Sequence, residues 1–175
     1  RLGTAIFLAA LRNPILLAYR LASLDWITGG RIDFGVGYGR PKDPAGEHEF
    51  EILGLDAAAR INMSEEVIQV MRRLWREDHV SHAGRFTNFD DVSIQPKPVQ
   101  RPGPPIVIGG FGAKRTPRLA ATYASEFNTP FARIDDFKTA CGRVVSACEA
   151  IDRDPATLTL SAALTVCCGA DEAEV

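Results

Sequence analysis

The order of the elements constrains this chain more than any single motif. Short apolar stretches begin at Leu2, Arg31, Pro105, Glu126 and Leu158, and each is followed by a helix-like stretch or the start of one. Leu2 to Ala10 is nearly continuous in apolar residues, as in a strand covered on both faces. Asn13 before Pro14 predicts a helix start, Leu17, Leu21, Leu24 and Ile27 keep helical spacing, and Gly29 with Gly30 predicts a left-handed stop. Arg31 to Gly37 returns to period two through Ile32, Phe34 and Val36. Strand, helix and strand repeated in this way predict βαβ units, a parallel sheet and right-handed crossovers, hence an α/β fold.

Further helices are expected from Asp56 to Trp75, Lys114 to Ala124 and Asp135 to Ile151, with one more capped by Asp171. Tyr38 to Asp56 reads as a long polar connection of the kind that carries function. His79 to Asn88 reads as a hairpin around Ala83 and Gly84, and Pro96 to Pro105 as an extended proline-rich loop. An open doubly wound sheet and part of a barrel both satisfy this order. A closed eightfold barrel usually takes about 250 residues, so 175 residues hold only part of one. One domain over residues 1–175, without a linker or a solenoid repeat, is expected.

The formal net charge of −2, from 20 basic and 22 acidic residues, gives no electrostatic case for a nucleic-acid partner. The longest apolar stretch, Pro14 to Ile27, is interrupted by Arg20, Ser23 and Asp25, so no membrane span is expected and a cytoplasmic protein is. Arg1 in first place, with no signal-peptide order after it, suggests a chain that begins inside a larger protein. Cys141, Cys148, Cys167 and Cys168 lack zinc-site spacing and read as reduced, mostly buried thiols.

Two glycine clusters carry the ligand argument. Gly35-Val36-Gly37-Tyr38-Gly39-Arg40 starts like a dinucleotide fingerprint, but Arg40 stands where the third glycine belongs and Pro41 and Pro44 follow. That removes most of the case for an NAD(P)-dependent dehydrogenase. Gly109-Gly110-Phe111-Gly112 follows a strand and leads through Lys114, Arg115 and Thr116 into a helix. Free amides, the positive end of a helix, a hydroxyl and cationic side chains at one point suit a phosphate; a flexible turn with solvated charges is the alternative. Both clusters are expected at the C-terminal ends of strands, on the edge where parallel α/β folds bind ligands. His48, beside Glu47, Glu49 and Glu51, is a candidate for acid or base work. His79 and His82 have no third ligand nearby and read as a solvated pair; no metal site is expected.

The stretches LGTAIFLAALRNP, LASLDWITGGRIDFGVGYG, EFEILGLD, EEVIQVMRRLW, PKPVQRPGPPIVIGG and KRTPRLAATYASEFNT together resemble the bacterial luciferase-like monooxygenase family, including its coenzyme F420-dependent members. The resemblance implies a partial (β/α)8 TIM barrel, roughly its third to seventh strands. It implies an oxidoreductase acting on a small organic substrate with FMN or coenzyme F420. It also implies a homo-oligomer in the full-length form and, for FMN users, reduced flavin taken from a separate reductase. The family's strand bulge, which supports the ring, falls at Ala5 and Ile6, where relatives often have a non-proline cis peptide. Its phosphate site falls on Gly109, Gly110, Phe111 and Gly112 with Arg115 and Thr116. Tyr38 stands where FMN users often carry an arginine, and its phenol brings a hydrogen bond without a charge, leaving that charge to Arg40 or Arg115. Arg40 stands where some F420 enzymes carry an acid, so that acid's proton-transfer role does not carry over. The KRTPRLAATYASEFNT stretch is nearer to the F420 members. A non-catalytic flavin-binding or structural relative is the rival reading.

Overall fold

The computed structural model describes residues 1–39 and 44–171. The chain divides into two compact units, Arg1–Val107 and Ile108–Val175, each described by itself.

In the first unit the expected strand over Leu2 to Ala10 is two short strands, β1 (Leu2–Gly3) and β2 (Phe7–Leu8), followed by a 3-10 turn at Ala9–Leu11. Both pair in parallel with β3 (Ile32–Gly37): Gly3 opposite Asp33, Phe7 opposite Val36. Between these pairs one strand advances by one residue more than the other, so the extra residue must bulge out of the ladder. A continuous apolar run conceals such an insertion, because register exists only once a partner strand is present. Phe34 N–H donates to the carbonyl of Pro105 at 2.8 Å, tying β3 to the start of β6 (Ile106–Gly109).

Helix α1 (Pro14–Thr28) begins and ends as predicted. Asn13 accepts from the amides of Ile15 and Leu16, and Gly29 closes the helix at φ 64°, a conformation costly for residues with a Cβ. Helix α2 (Pro44–Ile52) lies within the stretch expected to be a loop. It buries only Phe50, against Ala10, Ala59 and Met63, so it shows no apolar stripe that a sequence reading could detect. Asp56 caps a 3-10 turn, Ala57–Ala59, which leads into α3 (Arg60–Arg76). The hairpin is β4 (Val80–Ala83) with β5 (Asn88–Val92), antiparallel. Glu66 on α3 holds its turn by accepting from the amides of Arg85, Phe86 and Thr87. The proline-rich stretch is fastened by Asp25, fully buried, which accepts from both the backbone and side-chain amides of Gln100 at 2.8 Å.

The second unit continues the alternation with α4 (Arg115–Tyr123), β7 (Glu126–Pro130), α5 (Ile134–Glu149) and β8 (Thr159–Ala163). β7 and β8 are parallel, with Asn128 opposite Ser161. β8 ends sooner than the expected Leu158 to Cys168 strand, and Cys167 and Cys168 are exposed rather than buried. Cys141 and Cys148 are buried on α5, and burial pushes both thiols above their ordinary pKa. The helix expected after Asp171 lies outside the described residues. The class is parallel α/β, as the element order predicts, and no described helix is long and apolar enough to cross a membrane.

Candidate functional site

In the first unit the bulge is Thr4–Ala5–Ile6, and the Ala5–Ile6 peptide is cis without a proline. β3 accommodates it through two glycines. A Cβ at Gly35 would collide with the backbone carbonyl of Thr4, and one at Gly37 with the side chain of Ile6. Thr4 Oγ1 donates to the carbonyl of Gly35 at 2.8 Å, fixing the bulge from the other side. The room beside Gly35 and Gly37 is filled by the chain's own bulge. Ala5 and Ile6 remain exposed, Ile6 at 56%.

Tyr38 is buried where β3 ends. Arg40 lies outside the described residues. Beyond β3 a small apolar cavity is lined by Leu8, Gly39, Phe50, Ala57 and Arg60, with Gly46 and Glu47 of α2 at its edge. Arg60 donates from Nη1 to the carbonyl of Ala57 at 2.9 Å. No motif announced this cavity, because it forms only where α2, the 3-10 turn and the start of α3 at Arg60 come together. His48 sits on α2, exposed, with Nδ1 3.3 Å from Glu51 Oε2. His79 stands 2.7 Å from Asp91, and His82 stands 3.4 Å from Glu66.

In the second unit β6 runs out at Gly109, and Gly110 donates its amide to the carbonyl of Asn128 at 3.1 Å. Gly110 has φ 126°, a region that residues with a Cβ rarely enter. The chain then turns through Phe111, 48% exposed, and Gly112 into α4. Lys114, the N-cap residue of α4, makes no side-chain cap, and the first amides of a helix have no partner within it. Thr116 is buried in that turn, and a Cβ at Gly112 would press on its hydroxyl. Arg115 is exposed beside it. The glycines, the helix start, the hydroxyl and the guanidinium thus lie together, and this donor set fits a phosphate group.

Behind this cradle stands a group that sequence reading did not find. Asn128 donates from Nδ2 to Ser161 Oγ at 2.8 Å, and Ser161 donates to the carboxylate of Glu126. Asn128 and Ser161 stand opposite each other on β7 and β8, and Glu126 lies two residues before Asn128 on β7, a relationship visible only once the strands are paired.

Comparison with known proteins agrees with the architecture. The chain superposes on monooxygenase RslO1 from Streptomyces bottropensis with a TM-score of 0.77 and 26% identity, covering 91% of this chain and 48% of that one. On an F420-dependent secondary alcohol dehydrogenase in complex with an F420-acetone adduct the TM-score is 0.78 and the identity 25%, with the same coverage. The fold is part of the (β/α)8 barrel of the luciferase-like enzymes. Residues 1–175 match the luciferase-like monooxygenase family, and the chain belongs to it. It is 31% identical over 152 residues to an uncharacterised protein of Mycobacterium tuberculosis, covering 82% of this chain and 52% of that protein. It is 37% identical over 118 residues to an FMNH2-dependent dimethylsulfone monooxygenase of Pseudomonas putida, covering 66% of this chain and 31% of the enzyme. The chain thus spans about half the length of the first of these relatives.

Proposed function

We propose that this chain is part of a flavin- or F420-dependent oxidoreductase whose second unit holds the cofactor's phosphate. The observation that carries the reading is the strand end Gly109–Gly112 feeding the start of α4, with Thr116 buried in its first turn. FMN and coenzyme F420 both carry a ribityl phosphate, so one cradle serves either. Amides of the Phe111 to Thr116 stretch donate to phosphate oxygens, Thr116 adds its hydroxyl, and Arg115 supplies charge. Within the first unit, described by itself, the reading takes Ala5 and Ile6, exposed on the bulge, and Tyr38, buried at the end of β3, as cofactor-binding residues on the strength of the family resemblance.

When bound, the reduced ring supplies electrons or a hydride for the oxidation or reduction of a small organic substrate. The chain's own contribution is to bind, orient and exclude water. His48 is given no part in this, because it is solvent-exposed and paired with Glu51 on the outside of α2. The dimethylsulfone monooxygenase supports FMN with oxygen, and the alcohol dehydrogenase supports F420 without it. The reading also includes one luciferase-like domain over residues 1–175, a homo-oligomer in the full-length protein, a bacterial cytoplasmic location and, with FMN, a separate reductase.

Titration of the full-length protein with reduced FMN, F420 and NADPH, followed by absorbance and thermal shift, tests the reading. Binding of FMN or F420 is expected. Binding of neither would remove the main support of the enzyme reading and favour a structural relative, and F420 turnover that needs no oxygen would remove the monooxygenase version.

A further inference from the structure

Ser161 has one proton, and it goes to the Glu126 carboxylate, which when ionised can only accept. Ser161 Oγ is therefore left to Asn128 as an acceptor, and Asn128 must turn its Nδ2 toward it. This fixes the amide: Oδ1 points away from Ser161 as a committed acceptor. Without the carboxylate the hydroxyl could donate in either direction, and the amide would be free to flip.

The position of Asn128 says what that acceptor faces. Along β7, Phe127 and Thr129 are buried, at 1% and 0% exposure, while Asn128 alternates onto the other, partly open face. The backbone carbonyl of Asn128 takes the Gly110 amide, so the residue stands level with the entry to the cradle. A Cβ at Gly109 would lie 2.6 Å from that carbonyl and 3.7 Å from the Cβ of Asn128. Position 109 therefore projects to the same side as Asn128, and being glycine it lets the Asn128 backbone approach closely.

Resting on the cofactor reading above, we propose that Asn128 binds the polyol link next to the phosphate, Oδ1 accepting from a ribityl hydroxyl. Glu126 and Ser161 are positioning residues that act through Asn128. A hydroxyl-bearing chain is the part of such a cofactor that adjoins its phosphate, and an O–H donor is what a fixed amide oxygen selects.

The test uses the full-length protein and three probes: the cofactor it binds, FMN or F420; the same molecule without its phosphate; and the ring carrying only a methyl group in place of the polyol. Dissociation constants are read by fluorescence or absorbance titration. Asn128→Ala should weaken the first two by about tenfold, the worth of one hydrogen bond to an oriented group, and leave the third unchanged. Ser161→Ala and Glu126→Gln should weaken the same two probes by less and add nothing when combined with Asn128→Ala. Ser161→Thr, which keeps the hydroxyl, should bind as the unsubstituted protein does. Equal losses for all three probes, or no loss for any, would overturn the proposal while leaving the cofactor reading standing. If the unsubstituted protein binds neither FMN nor F420, both fall.

Discussion

Thr4 and Gly35 are fitted to each other from both sides: the threonine hydroxyl donates to the Gly35 carbonyl at 2.8 Å, while the Thr4 carbonyl occupies the space that a Cβ at position 35 would need. At Gly37 the obstacle is instead the side chain of Ile6, which is 56% exposed and can rotate. The two glycines should therefore differ. Gly35→Ala forces backbone apart and is expected to cost about 3 kcal/mol, Gly37→Ala about 1 kcal/mol, and Ile6→Ala should relieve only the second. Denaturant midpoints of Gly35→Ala and Gly37→Ala, each with and without Ile6→Ala, and of Ile6→Ala alone check this. Equal costs at the two positions would show that the bulge yields as a whole.

Glu66 gathers the amides of Arg85, Phe86 and Thr87 while 12% of its side chain is exposed. Glu66→Ala leaves three donors at a half-buried turn without their acceptor. A loss of about 2 to 3 kcal/mol is expected, with hydrogen exchange rising first at residues 84–88. An unchanged melting temperature would contradict the assigned role.

Asp25 is fully buried and accepts twice from Gln100. Asp25→Asn keeps the shape but turns a donor toward a donor, so it should destabilise nearly as much as Asp25→Ala, about 2 to 3 kcal/mol. Thermal melts of the two variants decide the matter; a neutral Asp25→Asn would mean that the amide finds another arrangement.

Burial raises the thiol pKa of Cys148, which is inaccessible on α5, and that of Cys141, two turns earlier on the same helix. A raised pKa lowers the thiolate fraction at any given pH, so alkylation of these two should be slow near pH 8 and accelerate only above it. Mass-spectrometric labelling against pH checks this, with exposed Cys167 and Cys168 expected to react first. Fast labelling of Cys148 at neutral pH would contradict the packing of α5.

The elements legible in the sequence were those whose own residues carry the signal. Asn13 and Gly29 mark both ends of α1, and the alternation of Ile32, Phe34 and Val36 marks β3. What escaped depends on contacts across the chain. The helix α2 buries one side chain, Phe50, and so has no stripe, and the bulge at Ala5 and Ile6 came from family resemblance rather than from periodicity. The glycines of the cradle were readable because their spacing before a helix start is local. Asn128, Ser161 and Glu126 were not, since two strands must pair before their side chains meet.

The account turns on the phosphate. The most direct measurement is the ratio of dissociation constants for the phosphate-free and phosphorylated forms of the cofactor, riboflavin against FMN or the F420 equivalents, in the full-length protein and in Arg115→Ala. The phosphorylated form should bind at least about tenfold tighter, as a charge-assisted contact requires, and Arg115→Ala should reduce much of that preference while leaving the phosphate-free form unaffected. Equal affinity for the two forms in the unsubstituted protein would contradict a phosphate site at Gly109–Gly112 and the start of α4.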